Sequence, residues 1–139
     1  MEGFNFTMPY SVRVADVNYG GHVANSAVLN FFQDARIAYL NNLGGYSELD
    51  IGNACGIILP EAHVRYQAEM FLGEELVIGV RTKSVGRSSF TLQYRIERAG
   101  EVCAEGETAL VCFDYVKRKP RRLDKEFRGK IEGFESELS

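Results

Sequence analysis

Asp16, Asn18 and His22 are the side chains of this sequence best suited to chemistry, and they surround two adjacent glycines. Histidine changes protonation near neutral pH and is the most frequent general base in enzymes, so His22 is a candidate to activate water. Asp16 could orient His22 or act as the base itself, and Asn18 could position a water molecule or a carbonyl. Each of the three could instead simply hold a turn.

A long helix is predicted directly after this run. Apolar residues recur at steps of three and four over about 25–42, which is typical of a helix with a broad apolar face. Asn25 or Ser26 could cap its first turn, and the glycines at 44–45 end it.

The start of that helix offers backbone donors. Unpaired N–H groups at the positive end of a helix can polarise a carbonyl and stabilise an oxyanion. We therefore expect the amides around Val23, Ala24 and Asn25 to bind a carbonyl. Gly21 would let the ligand approach the backbone closely, although the glycines could also serve only to turn the chain.

A second polar group lies before the strand that begins near Phe90. Lys83, Arg87, Ser88 and Ser89 combine positive charge with hydroxyl groups, which is a combination that binds phosphate. A polar hairpin turn is the alternative interpretation of the same four residues.

The remaining sequence predicts strands. A first strand is predicted over about 4–15, and the same alternation of apolar and polar residues near 62–69, 76–80, 90–97 and 102–112 predicts four more half-buried strands. The order of one strand, one helix and four strands predicts an α+β fold, with one curved antiparallel five-stranded sheet around a long central helix. The whole chain, 1–139, is expected to be one domain whose stretch from about 125 is a polar tail, helical or frayed.

Composition narrows the class of protein. The chain has 139 residues and a net charge of -3, so a nucleic-acid partner is not expected, and the basic run at 117–122 is interpreted as a solvated strand exit. Three widely spaced cysteines predict neither disulfides nor a metal site. We see neither a signal peptide nor an apolar segment long enough for a membrane, and we expect a cytoplasmic protein.

The run Asp16-Val17-Asn18-Tyr19-Gly20-Gly21-His22-Val23-Ala24-Asn25, followed by Phe31-Phe32-Gln33-Asp34-Ala35-Arg36, resembles the hydroxybenzoyl-CoA thioesterase family of hot-dog proteins. The resemblance implies a hot-dog fold, hydrolysis of a small or medium acyl-CoA or acyl-carrier thioester, and no cofactor besides that substrate. It also implies a homodimer or homotetramer with active sites between subunits. In the family, the amide at the position of Asn25 binds the thioester carbonyl.

Two positions depart from the family motif. Asn18 stands where the family has its catalytic aspartate, and Ala24 replaces the first asparagine of an Asn-Asn pair. An amide cannot accept a proton at neutral pH, so His22 or Asp16 would have to replace the missing base. Two other functions therefore stay open: an enoyl-thioester hydratase or dehydratase, and a non-catalytic protein that binds acyl thioesters.

Overall fold

Helices and strands form where the period of the apolar residues predicts them. The structure, a computed structural model, describes residues 1–136. Its elements in chain order are β1 (Phe6–Ser11), a 3-10 turn (Val14–Asp16), α1 (Asn25–Gly44), β2 (Gly56–Tyr66), β3 (Glu75–Val85), β4 (Ser89–Arg98), β5 (Glu101–Asp114), β6 (Lys119–Pro120) and α2 (Lys125–Glu135).

All strand pairs are antiparallel, and the sheet order is β1-β3-β4-β5-β2 with the short β6 beside the end of β5. The last three long strands form a meander because short turns connect them. The sheet thus has the five predicted strands and a sixth of two residues. Strands β1 and β2 are its outer strands, and within residues 1–136 no strand pairs with the outer edge of either.

The core lies between α1 and one face of the sheet. The rings of Phe32 on α1 and Tyr94 on β4 stack at 4.5 Å, and Phe31 packs on Tyr10 of β1 at 4.6 Å. Gly106 on β5 has no side chain because the Phe32 ring and a neighbouring backbone carbonyl occupy that space. The helix is therefore the central layer around which the sheet is packed, as predicted.

The structure corrects two local expectations. The first strand ends at Ser11, earlier than predicted, because the chain turns at Val14–Asp16. The helix begins at Asn25, but neither Asn25 nor Ser26 caps it: the N-cap is Ala24, whose side chain makes no hydrogen bond.

The expected polar tail is an amphipathic helix. Asp124 caps α2 by accepting a hydrogen bond from the amide of Phe127, 3.2 Å away. Phe127 and Ile131 on α2 are almost completely buried, and Phe127 packs edge-on against Tyr46 and Phe90. The part of this stretch at 137–139 lies outside the described residues. Neither helix of residues 1–136 is long and apolar enough to cross a membrane.

Candidate functional site

The polar run before α1 folds into a narrow loop that its own backbone closes. Val17 and Val23 form an isolated antiparallel bridge, and the amide of Asn18 donates to the carbonyl of His22 at 3.0 Å. The side-chain oxygen of Asn18 accepts from the amide of Gly20 at 3.0 Å, so Asn18 stabilises the tip of the loop. An aspartate at this position could accept the same bond.

His22 faces the tip of this loop. Its backbone bridges to Phe71, and its imidazole lies beside Gly20, next to the Asn18 amide. The side chain of His22 has no hydrogen-bond partner among residues 1–136 that would fix its orientation. The structure thus brings the side chains of Asn18 and His22 to the same side of Gly20.

Asp16 lies in a different network. Its carboxylate accepts from the hydroxyl of Tyr10 at 2.6 Å and from the amide of Arg13 at 2.9 Å. Burial, and then the hydrogen bond to Asp16, raises the pKa of Tyr10, and the Arg13 guanidinium opposes that shift. Asp16 therefore anchors the 3-10 turn, and the described contacts give it no link to the His22 ring.

The amides at the start of α1 differ in availability. The amide of Val23 donates to the carbonyl of Met70 at 2.7 Å, and that of Ala24 donates to the carbonyl of Asp16 at 3.0 Å. The expectation that these two amides are unpaired is therefore wrong. The amides of Asn25 and Ser26 have no acceptor within residues 1–136, and both residues are exposed. We call these two N–H groups the amide site.

Tyr66, at the end of β2, is a neighbour of the amide site that the sequence reasoning missed. Its hydroxyl donates to the backbone carbonyl of Asn25 at 2.9 Å. The alternation of β2 places Tyr66 on the same face as Ala62 and Val64, and a large aromatic side chain at the end of that face was the available signal.

A cavity of about 580 Å³ lies at the other end of the molecule, where the β3–β4 turn meets the start of α2. It contains four cationic side chains and one carboxylate, and we call it the basic cavity. Its lining residues are Asn53, Arg87, Arg122, Leu123, Asp124, Lys125 and Arg128.

The residues predicted to bind CoA phosphates separate in space. Arg87 lines the basic cavity, Ser88 lies in the adjoining turn, and Ser89 begins β4. Lys83 instead pairs with Glu107 at 3.0 Å, on the sheet face away from α1. Arg122 belongs to the basic run interpreted as a strand exit, so that interpretation misses its position in the cavity.

The amide site and the basic cavity of one chain lie far apart. The loop before α1 adjoins the start of β3, where Ser11 pairs with Glu75, whereas Arg87 follows the end of β3. Strand β3 spans Glu75–Val85. Ten residue steps correspond to about 33 Å of extended strand.

Comparison with known proteins agrees with this fold. A profile of the thioesterase-like superfamily matches residues 12–131. The chain is 27% identical over 121 residues to the acyl-CoA thioester hydrolase YbgC of Escherichia coli O157:H7, covering 86% of this chain and 90% of that protein. It is 25% identical over 118 residues to the 1,4-dihydroxy-2-naphthoyl-CoA hydrolase of Synechococcus elongatus, covering 81% and 87% respectively.

The structure also superposes on that of a thioesterase from Thermus thermophilus, complexed with coenzyme A and Zn. The TM-score is 0.87 at 29% identity, and the match covers 98% of each chain. The prediction of a thioester hydrolase with a hot-dog fold is thus confirmed at the level of the family. The chain belongs to the thioesterase-like superfamily.

Proposed function

We propose that this protein hydrolyses small or medium acyl-CoA thioesters, with the thioester carbonyl bound at the amide site. The observation that supports this most directly is the unpaired state of the Asn25 and Ser26 amides, within the described residues, at the start of a long helix with one buried face. Donors of this kind stabilise the negative charge that develops on a carbonyl oxygen under attack. The relatives named as acyl-CoA hydrolases support the same reaction.

In the proposed mechanism His22 is the general base. It removes a proton from water, and the resulting hydroxide adds to the thioester carbon while the amide site holds the oxyanion. The carbon–sulfur bond then breaks, and the CoA thiolate takes the proton back from the imidazolium. The products are a carboxylic acid and free CoA. Asn18 positions the water through its amide group.

The basic cavity is the proposed site for the CoA phosphates. Arg87 and Arg122 carry the fork-shaped guanidinium groups that bind phosphate oxygens in pairs, and Lys125 adds a third positive charge. These cations favour CoA over an acyl-carrier protein, because the nucleotide of CoA has more phosphate groups than the carrier's phosphopantetheine arm.

We further propose that the working unit contains at least two copies. Strand β2 ends at Tyr66, beside the amide site. It begins at Gly56, close in the chain to Asn53, which lines the basic cavity. Antiparallel pairing of two β2 edges would place the basic cavity of one copy toward the amide site of the other. One bound CoA would then contact both copies.

Asn25→Pro tests the amide site directly. Proline removes the Asn25 N–H, and it fits the first helical position, particularly because Ala24 is already extended with ψ at 145°. We expect the variant to fold and kcat for benzoyl-CoA or hexanoyl-CoA to fall about 10²-fold or more, measured as release of free thiol. Asn25→Ala keeps the N–H and should keep activity. Equal turnover by the two variants would remove the amide site from the mechanism.

Mixing two defective variants tests the shared site. In a heterodimer of Asn25→Pro and Arg122→Gln, one of the two shared sites would have both of its parts intact. At hexanoyl-CoA concentrations well below KM, where Arg122→Gln retains about a tenth of the wild-type rate, random exchange of subunits should raise the rate of the mixture to about a quarter of wild type. A site built within one chain predicts no gain on mixing. Sedimentation that detects only monomer at micromolar concentration would also contradict this arrangement.

Because Asn18 replaces the family carboxylate, non-catalytic binding of acyl thioesters is the second candidate function. Calorimetry on acyl-CoA combined with the thiol assay separates the two functions, since tight binding without turnover would indicate binding alone. A hydratase would consume the double bond of crotonyl-CoA without releasing thiol. The hydratase motif also differs from this chain, because it has one residue fewer between its asparagine and its histidine than lies between Asn18 and His22.

A further inference from the structure

The hydroxyl of Tyr66 donates a hydrogen bond of 2.9 Å to the backbone carbonyl of Asn25. Tyr66 is the last residue of β2, and Asn25 is the first residue of α1. We infer that Tyr66 is a positioning residue for thioester hydrolysis, which holds the two N–H groups of the amide site in place and polarises the Ser26 N–H. The inference rests on the proposed function, because it concerns the same amides.

The first turn of α1 lacks a side-chain cap. Ala24 provides no side-chain cap, and the ends of helices fray readily. Within residues 1–136, Tyr66 is the one side chain that is hydrogen-bonded to the backbone of Asn25 or Ser26. Donors that stabilise a transition state must already be fixed before the reaction begins. The phenol provides that restraint by fastening the turn to the sheet.

The same bond also acts on the strength of a donor. The Asn25 carbonyl and the Ser26 N–H belong to one peptide group. A hydrogen bond accepted by that carbonyl polarises the group, and chains of hydrogen bonds strengthen one another in this way by about 10–30% per bond. The Ser26 amide should therefore be a better donor to an oxyanion while the Tyr66 hydroxyl is present.

Tyr66→Phe removes the hydroxyl and keeps the ring. We expect kcat for benzoyl-CoA and hexanoyl-CoA to fall about three- to tenfold at 25 °C, with KM little changed, because one hydrogen bond that acts in the transition state is lost. Affinity for free CoA, measured by calorimetry, should stay the same because CoA has no acyl carbonyl. A merely structural role would reduce CoA affinity and kcat together.

Tyr115→Phe is the matched control. The Tyr115 hydroxyl also donates to a backbone carbonyl of β2, that of Ile57, which lies near the beginning of the strand. The Tyr115→Phe variant should keep wild-type kcat. Equal losses of kcat in the two phenylalanine variants, or no loss in Tyr66→Phe, would overturn the inference.

Asn25→Pro separates this inference from the proposed function. If Asn25→Pro abolishes turnover while Tyr66→Phe has wild-type kcat, the role of Tyr66 fails and the amide site stands. If Asn25→Pro keeps full turnover, the amide site itself fails, and the role of Tyr66 fails with it.

Discussion

The imidazole of His22 lies directly against Gly20. A Cβ atom built on Gly20 would be 3.0 Å from both Cδ2 and Nε2 of the ring, and 3.4 Å from the side-chain oxygen of Asn18. Gly20 therefore leaves open the space in which these two side chains meet. This contact also connects the conformation of the loop to the position of the proposed base.

Gly20→Ala should displace the His22 ring while the fold is kept, because the clash is with side chains. We expect kcat to fall about tenfold with a small change in melting temperature, since misplacing a catalytic group is costly to the rate. Gly129→Ala is the control: nothing lies within 4 Å of its added methyl, and alanine favours a helix. Wild-type kcat in Gly20→Ala would contradict a catalytic position for His22.

His22→Ala should reduce kcat about 10²–10⁴-fold if His22 is the general base. Its affinity for free CoA should remain, because the basic cavity is unchanged. Turnover of the acyl-CoA panel at the wild-type rate would remove His22 from the mechanism.

Asn18→Asp restores the family carboxylate and can keep the hydrogen bond to the Gly20 amide. We expect turnover to stay the same or to increase, because a carboxylate can accept a proton and an amide cannot. Activity is measured on the same panel of acyl-CoA substrates. Complete loss of activity would show that the Asn18 amide has a chemical role of its own.

Arg122→Gln should weaken the binding of substrates that carry the CoA nucleotide. We expect KM for hexanoyl-CoA to rise about tenfold, equivalent to about 1.4 kcal/mol, and KM for hexanoyl-pantetheine to stay constant. The Lys117→Gln control removes a charge from the same basic run outside the cavity. A similar rise in KM for both substrates would contradict a phosphate site.

Asp114→Asn should lower the melting temperature at pH 7. Hydrogen bonds from the Lys117 and Val116 amides, with Arg121 at 3.0 Å, hold the pKa of Asp114 below its usual range. A carboxyl whose pKa is depressed by folding stabilises the protein above its unfolded-state pKa of about 3.9, and loses that effect as the pH falls through the folded value.

The difference in melting temperature between wild type and Asp114→Asn should therefore shrink toward acid pH. Thermal unfolding followed by circular dichroism from pH 7 to pH 3 checks this. The exposed Glu132→Gln should differ little from wild type throughout. A gap for Asp114→Asn that is constant with pH would contradict a role for the ionised carboxylate.

Sequence reasoning was strongest where a local period decides structure. The steps of three and four over 25–42 and the alternation in the strands predict the helix and all five long strands, because side-chain direction repeats with the backbone. Sequence-based prediction was weakest where a few apolar residues of a polar segment pack against the core. Phe127 and Ile131 turn the expected tail into a packed helix, and their effect depends on the core surface that the rest of the fold provides.

Local residue patterns predict the order of the elements, the double-glycine loop and the start of a long amphipathic helix at Asn25. Contacts between distant segments determine which amides around that loop lack an acceptor within residues 1–136. The Val23 amide is taken by Met70, which is 47 residues away in the chain, and the Asn25 carbonyl by Tyr66, 41 residues away. The tertiary structure likewise decided that Arg87 and Arg122 share a cavity. Such pairings depend on how distant strands meet in space, and no local pattern of residues carries that information.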